Sequence, residues 1–223
     1  MRSNHQSRRL ERGFSFIEVL VVMGIIGVLV SGVVFIVGNW MEKRPEMMTR
    51  DRMMKVKVAI ESTRSIFAAY PADDVRNIEK RWATGLAVKI KAPNNRTNRG
   101  IEAVVQAFNW PGNSTNPEFG DGDFVNTDED VFGVAISAGK GAGALELKDE
   151  WENPLIYIES QSYQKAKKNG GVEVMTADGE VVRAMPYENE DGSFVNAASF
   201  QLFSMGPDME PNTDDDVLVW TND

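Results

Sequence analysis

An apolar run lies close to the start of the chain, from Val19 to Val37, and Ser31 is the one polar residue within it. As an α-helix this run would be about 30 Å long, which matches the hydrocarbon core of a bilayer. Four arginines and a single acid, Glu11, lie within residues 1–13. Because positively charged flanks stay on the cytoplasmic side, the pattern predicts a membrane helix whose N-terminus is cytoplasmic.

After Trp40 the pattern becomes amphipathic. Residues suited to a buried face recur every three or four positions, at Met53, Val56, Ile60, Thr63, Phe67 and Tyr70. This spacing predicts that the helix continues beyond the apolar run and packs one face against the rest of the chain. Pro45 predicts a kink near residues 42–47, and Pro71 predicts the end of the helix.

Shorter elements follow the long helix. Asp73 or Asp74 is a candidate cap for a helix over residues 75–83, and Asn98 is a candidate cap for a helix over residues 101–108. Each of these residues has a short polar side chain that accepts a hydrogen bond from the first turn of a helix.

Residues 111–130 are rich in Gly, Pro, Asn and Asp and predict a long surface loop. An acidic cluster near the end of this segment consists of Asp121, Asp123, Asp128, Glu129 and Asp130. Their order lacks the spacing of an EF-hand, which favours a solvated loop over a metal site.

The last third of the chain has the pattern of short β-strands. Predicted strands cover residues 155–158, 172–176, 180–183, 200–204 and 217–220. Ala177-Asp178-Gly179 separates the second strand from the third and is a strong hairpin signal. The order of elements predicts an α+β fold in which a long N-terminal helix packs on a C-terminal antiparallel β-sheet.

Composition limits the chemistry that is open to the chain. It has no cysteine, and its only histidine, His5, lies before the apolar run. Catalytic pairs built on Cys–His or Ser–His, and zinc sites with nitrogen or sulfur ligands, are therefore excluded from the rest of the chain. The net charge of −9 is opposite to that of a surface that binds phosphate backbones. We expect no nucleic-acid partner and no enzyme activity.

The residues in front of the apolar run, Gly13-Phe14-Ser15-Phe16-Ile17-Glu18, form a specific motif. It resembles the signal of type IV prepilins and pseudopilins. In that family prepilin peptidase cuts after the glycine and methylates the new N-terminus. The resemblance therefore implies cleavage after Gly13 and methylation of Phe14, with the apolar helix retained in the mature chain. Loss of residues 1–13 takes four arginines and one glutamate from 24 basic and 33 acidic residues, which leaves a net charge of −12.

Glu18 places a carboxylate at the beginning of the apolar run, where burial in a bilayer costs a few kcal/mol. Cleavage after Gly13 would create an amine that compensates this charge. The resemblance implies that the amine belongs to a neighbouring subunit of a filament, so that Glu18 serves assembly. It also implies a cleaved leader (1–13), a helix in the membrane or filament core (14–39) and a periplasmic head (40–223).

Two further segments resemble the G-type major pseudopilin of type II secretion. The segment from Asp149 to Tyr157 is similar to the family's Asp-Pro-Trp-Gly-Asn-Pro-aromatic turn, with Glu150 in place of Pro and Glu152 in place of Gly. The segment that begins at Phe203 is similar to the family's Ser-Leu-Gly-Ala-Asp-Gly sequence. Here Met209 stands where glycine is common.

The second of these segments implies a calcium site, because the C-terminal loop of that family binds Ca²⁺. Carried over residue by residue, the ligands would be the side chains of Asp208, Asp215 and Asp216 and the carbonyl groups of Met205 and Glu210. Ca²⁺ prefers six to eight hard oxygen ligands of this kind. A solvated acidic loop without a metal ion is the alternative interpretation.

The resemblance implies a structural subunit of a type II secretion pseudopilus, held in the inner membrane with its head in the periplasm. Its partners would be prepilin peptidase, other pseudopilins including copies of itself, the inner-membrane secretion platform and membrane lipid. A type IV pilin for adhesion or DNA uptake is the alternative. A membrane-anchored hydrolase is a third possibility, although no carboxylate spacing singles out an acid–base pair. The segment 72–148 is longer than a minimal member of the family carries.

Overall fold

The computed structural model describes residues 15–82, 95–110, 112–115, 119–131 and 144–220, with the backbone alone for residues 32–42 and 79–81. Its helices are α1 (Phe16–Phe67), α2 (Val75–Trp82), α3 (Arg99–Phe108) and α4 (Tyr163–Lys168). Its strands are β1 (Phe124–Val125), β2 (Glu146–Leu147), β3 (Ile156–Glu159), β4 (Val172–Met175), β5 (Val181–Ala184), β6 (Phe200–Ser204) and β7 (Val217–Leu218). The chain divides into two compact units, Met1–Arg44 and Pro45–Asp223.

The first unit contains the N-terminal part of α1. Its large apolar side chains are exposed, for example Phe16 at 80% and Val30 at 54%. Over the part of the chain that the structure describes, no helix combines the length and the apolar character needed to cross a membrane.

The second unit begins within α1, which continues through Pro45. As the amphipathic spacing predicts, Met53, Val56, Ile60 and Thr63 are fully buried. The three apolar side chains among them join residues of β3 and β6 in one core. The fold is therefore α+β and pilin-like, with a long N-terminal helix that packs against antiparallel strands.

The end of α1 differs from the prediction. The helix stops at Phe67 rather than at Pro71. The next residue, Ala68, has a φ of 57°. This left-handed conformation does not continue a right-handed helix, so the backbone turns before it reaches the proline.

The C-terminal strands β3 to β7 are antiparallel, as predicted, and they lie in two separate sheets, while β1 and β2 form another sheet within the described residues. The largest has the order β3-β6-β7, and Phe203 stands opposite both Ile156 and Leu218. β4 and β5 form a hairpin, and β1 pairs with β2. The predicted hairpin turn is confirmed, because Gly179 has a φ of 88° and the Thr176 N–H donates to the Glu180 carbonyl at 2.9 Å.

The two predicted helix caps have different outcomes. Asp74 caps α2, since its Oδ1 accepts a hydrogen bond of 3.0 Å from the Arg76 N–H. Residue 83 lies outside the described residues. Asn98 precedes α3, but its side chain makes no capping hydrogen bond. The prediction of an Asn98 cap was wrong, because a φ of 54° puts this residue in the left-handed region and its amide bonds to the strands instead.

The predicted loop over residues 111–130 is partly regular where it is described; residues 111 and 116–118 lie outside the described residues. A single 3-10 turn at Asp121–Asp123 leads into β1. β1 pairs with β2, with Phe124 opposite Leu147 and Val125 opposite Glu146. This pairing brings the end of the segment against α3 and limits its exposure to solvent.

Candidate functional site

The predicted calcium loop connects β6 to β7 and begins with Met205, which is fully buried. Gly206 has a φ of 67°, and a side chain at this position would collide with the carbonyl group of Asp215. Glycine is therefore required where the two ends of the loop approach each other.

Asp216 is the most constrained carboxylate of the loop. Its Oδ2 accepts hydrogen bonds from the Asn212 N–H at 2.9 Å and from the Tyr187 hydroxyl. Its Oδ1 is buried and accepts no hydrogen bond from any residue that the structure describes. Burial raises the pKa of Asp216, although the Tyr187 hydroxyl acts in the opposite direction.

Asp208 and Asp215 lie next to each other in the loop. The Asp215 Oδ1 accepts a hydrogen bond of 2.6 Å from the Thr213 hydroxyl, and its Oδ2 accepts one of 3.3 Å from the Asp208 N–H. Partial burial opposes ionisation of Asp215, but these hydrogen bonds outweigh it and lower the pKa of the carboxyl. The Asp208 Oδ1 accepts a hydrogen bond of 2.8 Å from the Glu210 N–H.

The loop therefore offers carboxylates on one turn, together with the Glu210 carbonyl, which accepts a hydrogen bond from Thr213 at 3.1 Å. Oxygen ligands of this kind suit Ca²⁺, and the buried Asp216 Oδ1 accepts no hydrogen bond from the described residues. The carboxylates of Asp208, Asp215 and Asp216 do not, however, place one oxygen each within 4.8 Å of the other two. Among the described residues, a group that meets this criterion lies outside the loop, as shown below.

The predicted turn at residues 149–157 is connected directly to the start of this loop. Asp149 is fully buried, and its Oδ1 accepts the N–H groups of Trp151 and Asn153, each at 2.9 Å. Its Oδ2 accepts a hydrogen bond of 2.6 Å from the Ser204 hydroxyl at the end of β6. Burial raises the pKa of Asp149 to about 6, while the Ser204 hydrogen bond opposes this rise. Trp151 packs, partly buried, against the main core.

At the other end of the chain, Glu18 lies in the first turn of α1, where a negative charge is favourable to the helix dipole. Its N–H donates to the Ser15 carbonyl at 3.0 Å. Gly13 and Phe14, the predicted sites of cleavage and methylation, lie outside the described residues.

The close group of acidic side chains consists of Glu102, Asp128 and Glu146. The predicted solvated loop is only partly exposed at Asp128, which is half-buried because α3 and β2 bring two buried glutamates to it. The sequence carries one signal for both glutamates. Each is a single acidic residue inside an apolar stretch: Ile101 precedes Glu102, and Leu147 follows Glu146.

Comparison with known families gives one match. The model of the prokaryotic N-terminal methylation motif matches residues 8–34, which include Gly13, Phe14 and Glu18. The chain matches no curated protein and no solved structure. The methylation motif, followed by a long helix and antiparallel sheets, supports placing this chain among the type IV prepilin-like proteins.

Proposed function

We propose that the protein is a G-type pseudopilin, a structural subunit of the periplasmic filament of a type II secretion system. The observation that carries this proposal is the backbone conformation at Glu152 and Met209. Both residues stand where the G-type family has glycine, and they have φ values of 70° and 60°.

Residues other than glycine rarely adopt such angles, because the left-handed conformation costs roughly 1–2 kcal/mol per residue. A residue other than glycine keeps this conformation where the surrounding structure requires the turn. The path of both loops therefore fits the path that glycine permits in the family. The backbone conformation at these two positions therefore supports the G-type proposal in addition to the similarity in sequence.

The N-terminal segment supports assembly into a filament. Its exposed apolar side chains, such as Ile17 and Leu20, need lipid or neighbouring subunits to cover them. After cleavage at Gly13, the amine of Phe14 in one subunit would lie beside Glu18 of the next. Two unit charges 4 Å apart attract each other by about 4 kcal/mol at an effective dielectric constant of 20, and desolvation offsets part of this attraction.

The remaining parts of the proposal follow from the same family. Prepilin peptidase processes the chain, membrane lipid holds it in the inner membrane, and the head lies in the periplasm before and after assembly. Copies of the chain, other pseudopilins and the secretion platform are its partners. One Ca²⁺ binds the loop between β6 and β7 through the predicted ligands Asp208, Asp215, Asp216, Met205 and Glu210.

A deletion strain tests the proposal. We expect loss of the gene to leave secreted proteins in the periplasm, and we expect the wild-type gene to restore their release into the medium. A Glu18→Ala gene should not restore release. Normal secretion by the deletion strain, together with loss of surface filaments, adhesion or DNA uptake, would instead identify a surface pilin.

A further inference from the structure

Three carboxylates from distant parts of the sequence meet inside the second unit. Glu102 lies on α3, Asp128 lies in the turn that follows β1, and Glu146 lies on β2. One oxygen atom from each residue lies within 4.8 Å of the other two. We call this group the Glu102 cluster.

The spacing of these oxygens suits a single Ca²⁺. Calcium–oxygen distances are about 2.3–2.6 Å, so two ligands on opposite sides of the ion are about 5 Å apart. Oxygens that all lie within 4.8 Å of one another can therefore contact the same ion. Asp128 is half-buried, which gives the position a route to solvent.

The state of Glu102 is the second, independent observation. Glu102 is only 1% exposed. Neither its Oε1 nor its Oε2 accepts a hydrogen bond from any residue in the described part of the chain. A buried carboxylate without a partner is strongly unfavourable. Burial, together with the charges of Asp130 and Asp128, raises the pKa of Glu102 to about 10.

The other two carboxylates are held in place by donors that leave lone pairs available. The Glu146 Oε1 accepts a hydrogen bond of 2.9 Å from the Asn98 amide, and its Oε2 accepts one of 3.2 Å from the Thr127 N–H. The Asp128 Oδ2 accepts a hydrogen bond of 2.7 Å from the Asn95 amide. A carboxylate oxygen has two lone pairs, so each can bind a cation as well.

The surroundings add further oxygen atoms and little positive charge. The charge of Asp130 acts on Glu102, and both carboxylate oxygens of Asp130 are buried without a partner among the described residues. Arg99 is close enough to oppose the rise in the pKa of Glu102, and it also forms an ion pair of 3.5 Å with Asp74. A bound cation would favour the ionised form of these crowded carboxyl groups, which belong to Glu102, Asp128, Asp130 and Glu146.

We propose that the Glu102 cluster binds one Ca²⁺ through the carboxylates of Glu102, Asp128 and Glu146. The set of ligands consists of oxygen atoms alone, which favours Ca²⁺ over Zn²⁺, and Mg²⁺ is disfavoured because it requires a smaller, near-ideal octahedral shell. The ion joins α3 to β1 and β2, and through Asn98 it also supports β4, whose Met175 N–H donates to the Asn98 Oδ1 at 3.0 Å. This site is separate from the C-terminal loop and does not depend on the proposed function.

The test uses the full chain, purified in a mild detergent, with Asp215→Asn as the parent variant so that the C-terminal loop does not contribute. Calorimetry with CaCl₂ measures binding, and thermal unfolding is followed in Ca²⁺ and in chelator. Glu102→Gln replaces the ionisable carboxyl of Glu102 by an amide of the same size. Asp128→Asn changes a half-buried residue and avoids the core. Asp121→Asn is the control, because Asp121 is an exposed acid outside the cluster.

We expect the parent and Asp121→Asn to bind one Ca²⁺ and to melt about 5–10 °C higher at a hundredfold excess over Kd than in chelator. Glu102→Gln and Asp128→Asn should weaken Ca²⁺ binding at least tenfold and lose most of this shift. Mg²⁺ should bind more weakly than Ca²⁺. Unchanged Ca²⁺ binding in both cluster variants, no binding by the parent, or tighter binding of Mg²⁺ would overturn the proposal.

Discussion

Glu152 and Met209 hold backbone angles that glycine adopts with less strain. Glu152 also forms an ion pair with Lys148, although its side chain is largely exposed. A surface pair of this kind contributes little to stability, because solvent screens it. The local strain at this residue is therefore open to direct measurement.

We predict that Glu152→Gly stabilises the protein by about 1 kcal/mol relative to Glu152→Ala. Both variants lose the ion pair with Lys148, but only glycine removes the Cβ that opposes a φ of 70°. Urea unfolding of the full chain in detergent measures the difference in the free energy of unfolding. A glycine variant that is no more stable than the alanine variant would contradict the argument from backbone strain.

At the scale of elements, the second half of α1 has two faces with different roles. Ile60 is fully buried among residues of β3 and β6, whereas Ile66 on the same helix is 42% exposed. The two residues have the same chemistry, so they form a matched pair. Their comparison tests whether α1 packs against the strands as described.

Ile60→Ala should lower the free energy of unfolding by about 2–5 kcal/mol, because it leaves a cavity in the core. Ile66→Ala should lower it by less than about 1 kcal/mol. Denaturant unfolding of the two variants provides the measurement. Losses of equal size would show that the helix buries a different face.

The proposed Ca²⁺ in the loop between β6 and β7 predicts that the stability of the chain depends on Ca²⁺. In a Glu102→Gln background, the full chain should be more stable in Ca²⁺ than in chelator, by about 2.7 kcal/mol at a hundredfold excess over Kd. Mg²⁺ should replace Ca²⁺ poorly. Melting temperatures in Ca²⁺, in Mg²⁺ and in chelator provide the measurement.

The matched variants for this loop are Asp215→Asn and Asp121→Asn, each made in the same background. The first should abolish most of the Ca²⁺-dependent shift, whereas the second should leave it intact. Equal melting temperatures in Ca²⁺ and in chelator, without binding by calorimetry, would favour a solvated acidic loop.

The elements that the sequence predicts well are those with local causes. The turn at Asp178-Gly179 depends on the backbone freedom of one glycine, and the buried face of α1 depends on the spacing of residues within one helix. The hydrogen bonds that the Asn98 side chain makes to the strands were not predictable from local sequence. Its amide contacts Glu146 and Met175, which are distant in sequence and become neighbours only after folding.

The two acidic sites show the same contrast. The ligands predicted for the C-terminal loop lie within one segment, so a resemblance in sequence is enough to suggest them. The Glu102 cluster draws its carboxylates from α3, from the turn after β1 and from β2. An acidic residue inside an apolar stretch identifies Glu102 and Glu146 as unusual, but only tertiary structure shows that they meet.

At the scale of the whole molecule, we propose that cleavage creates the N-terminal amine that Glu18 of a neighbouring subunit binds in the filament. Glu18→Ala removes a charge that is unfavourable in a membrane, so we expect insertion to be at least as efficient as in the wild type. Assembly should fail, because the amine of the neighbouring subunit loses its partner. Filament yield and secretion, measured at equal protein levels, test this prediction.

Glu18→Asp is the control for this variant, since it keeps the negative charge and should retain part of the assembly. Cleavage after Gly13 should be the same in both variants. Wild-type levels of filaments in Glu18→Ala would contradict the role of Glu18 in pairing with the amine.

The central claim, that the chain is a processed prepilin-like subunit, is tested most directly by the mass of its N-terminal peptide. Mass spectrometry of the protein from membranes and filaments should find a chain that begins at N-methylated Phe14, and Gly13→Val should leave the precursor uncut. Assembled protein with residues 1–13 still attached would contradict the account.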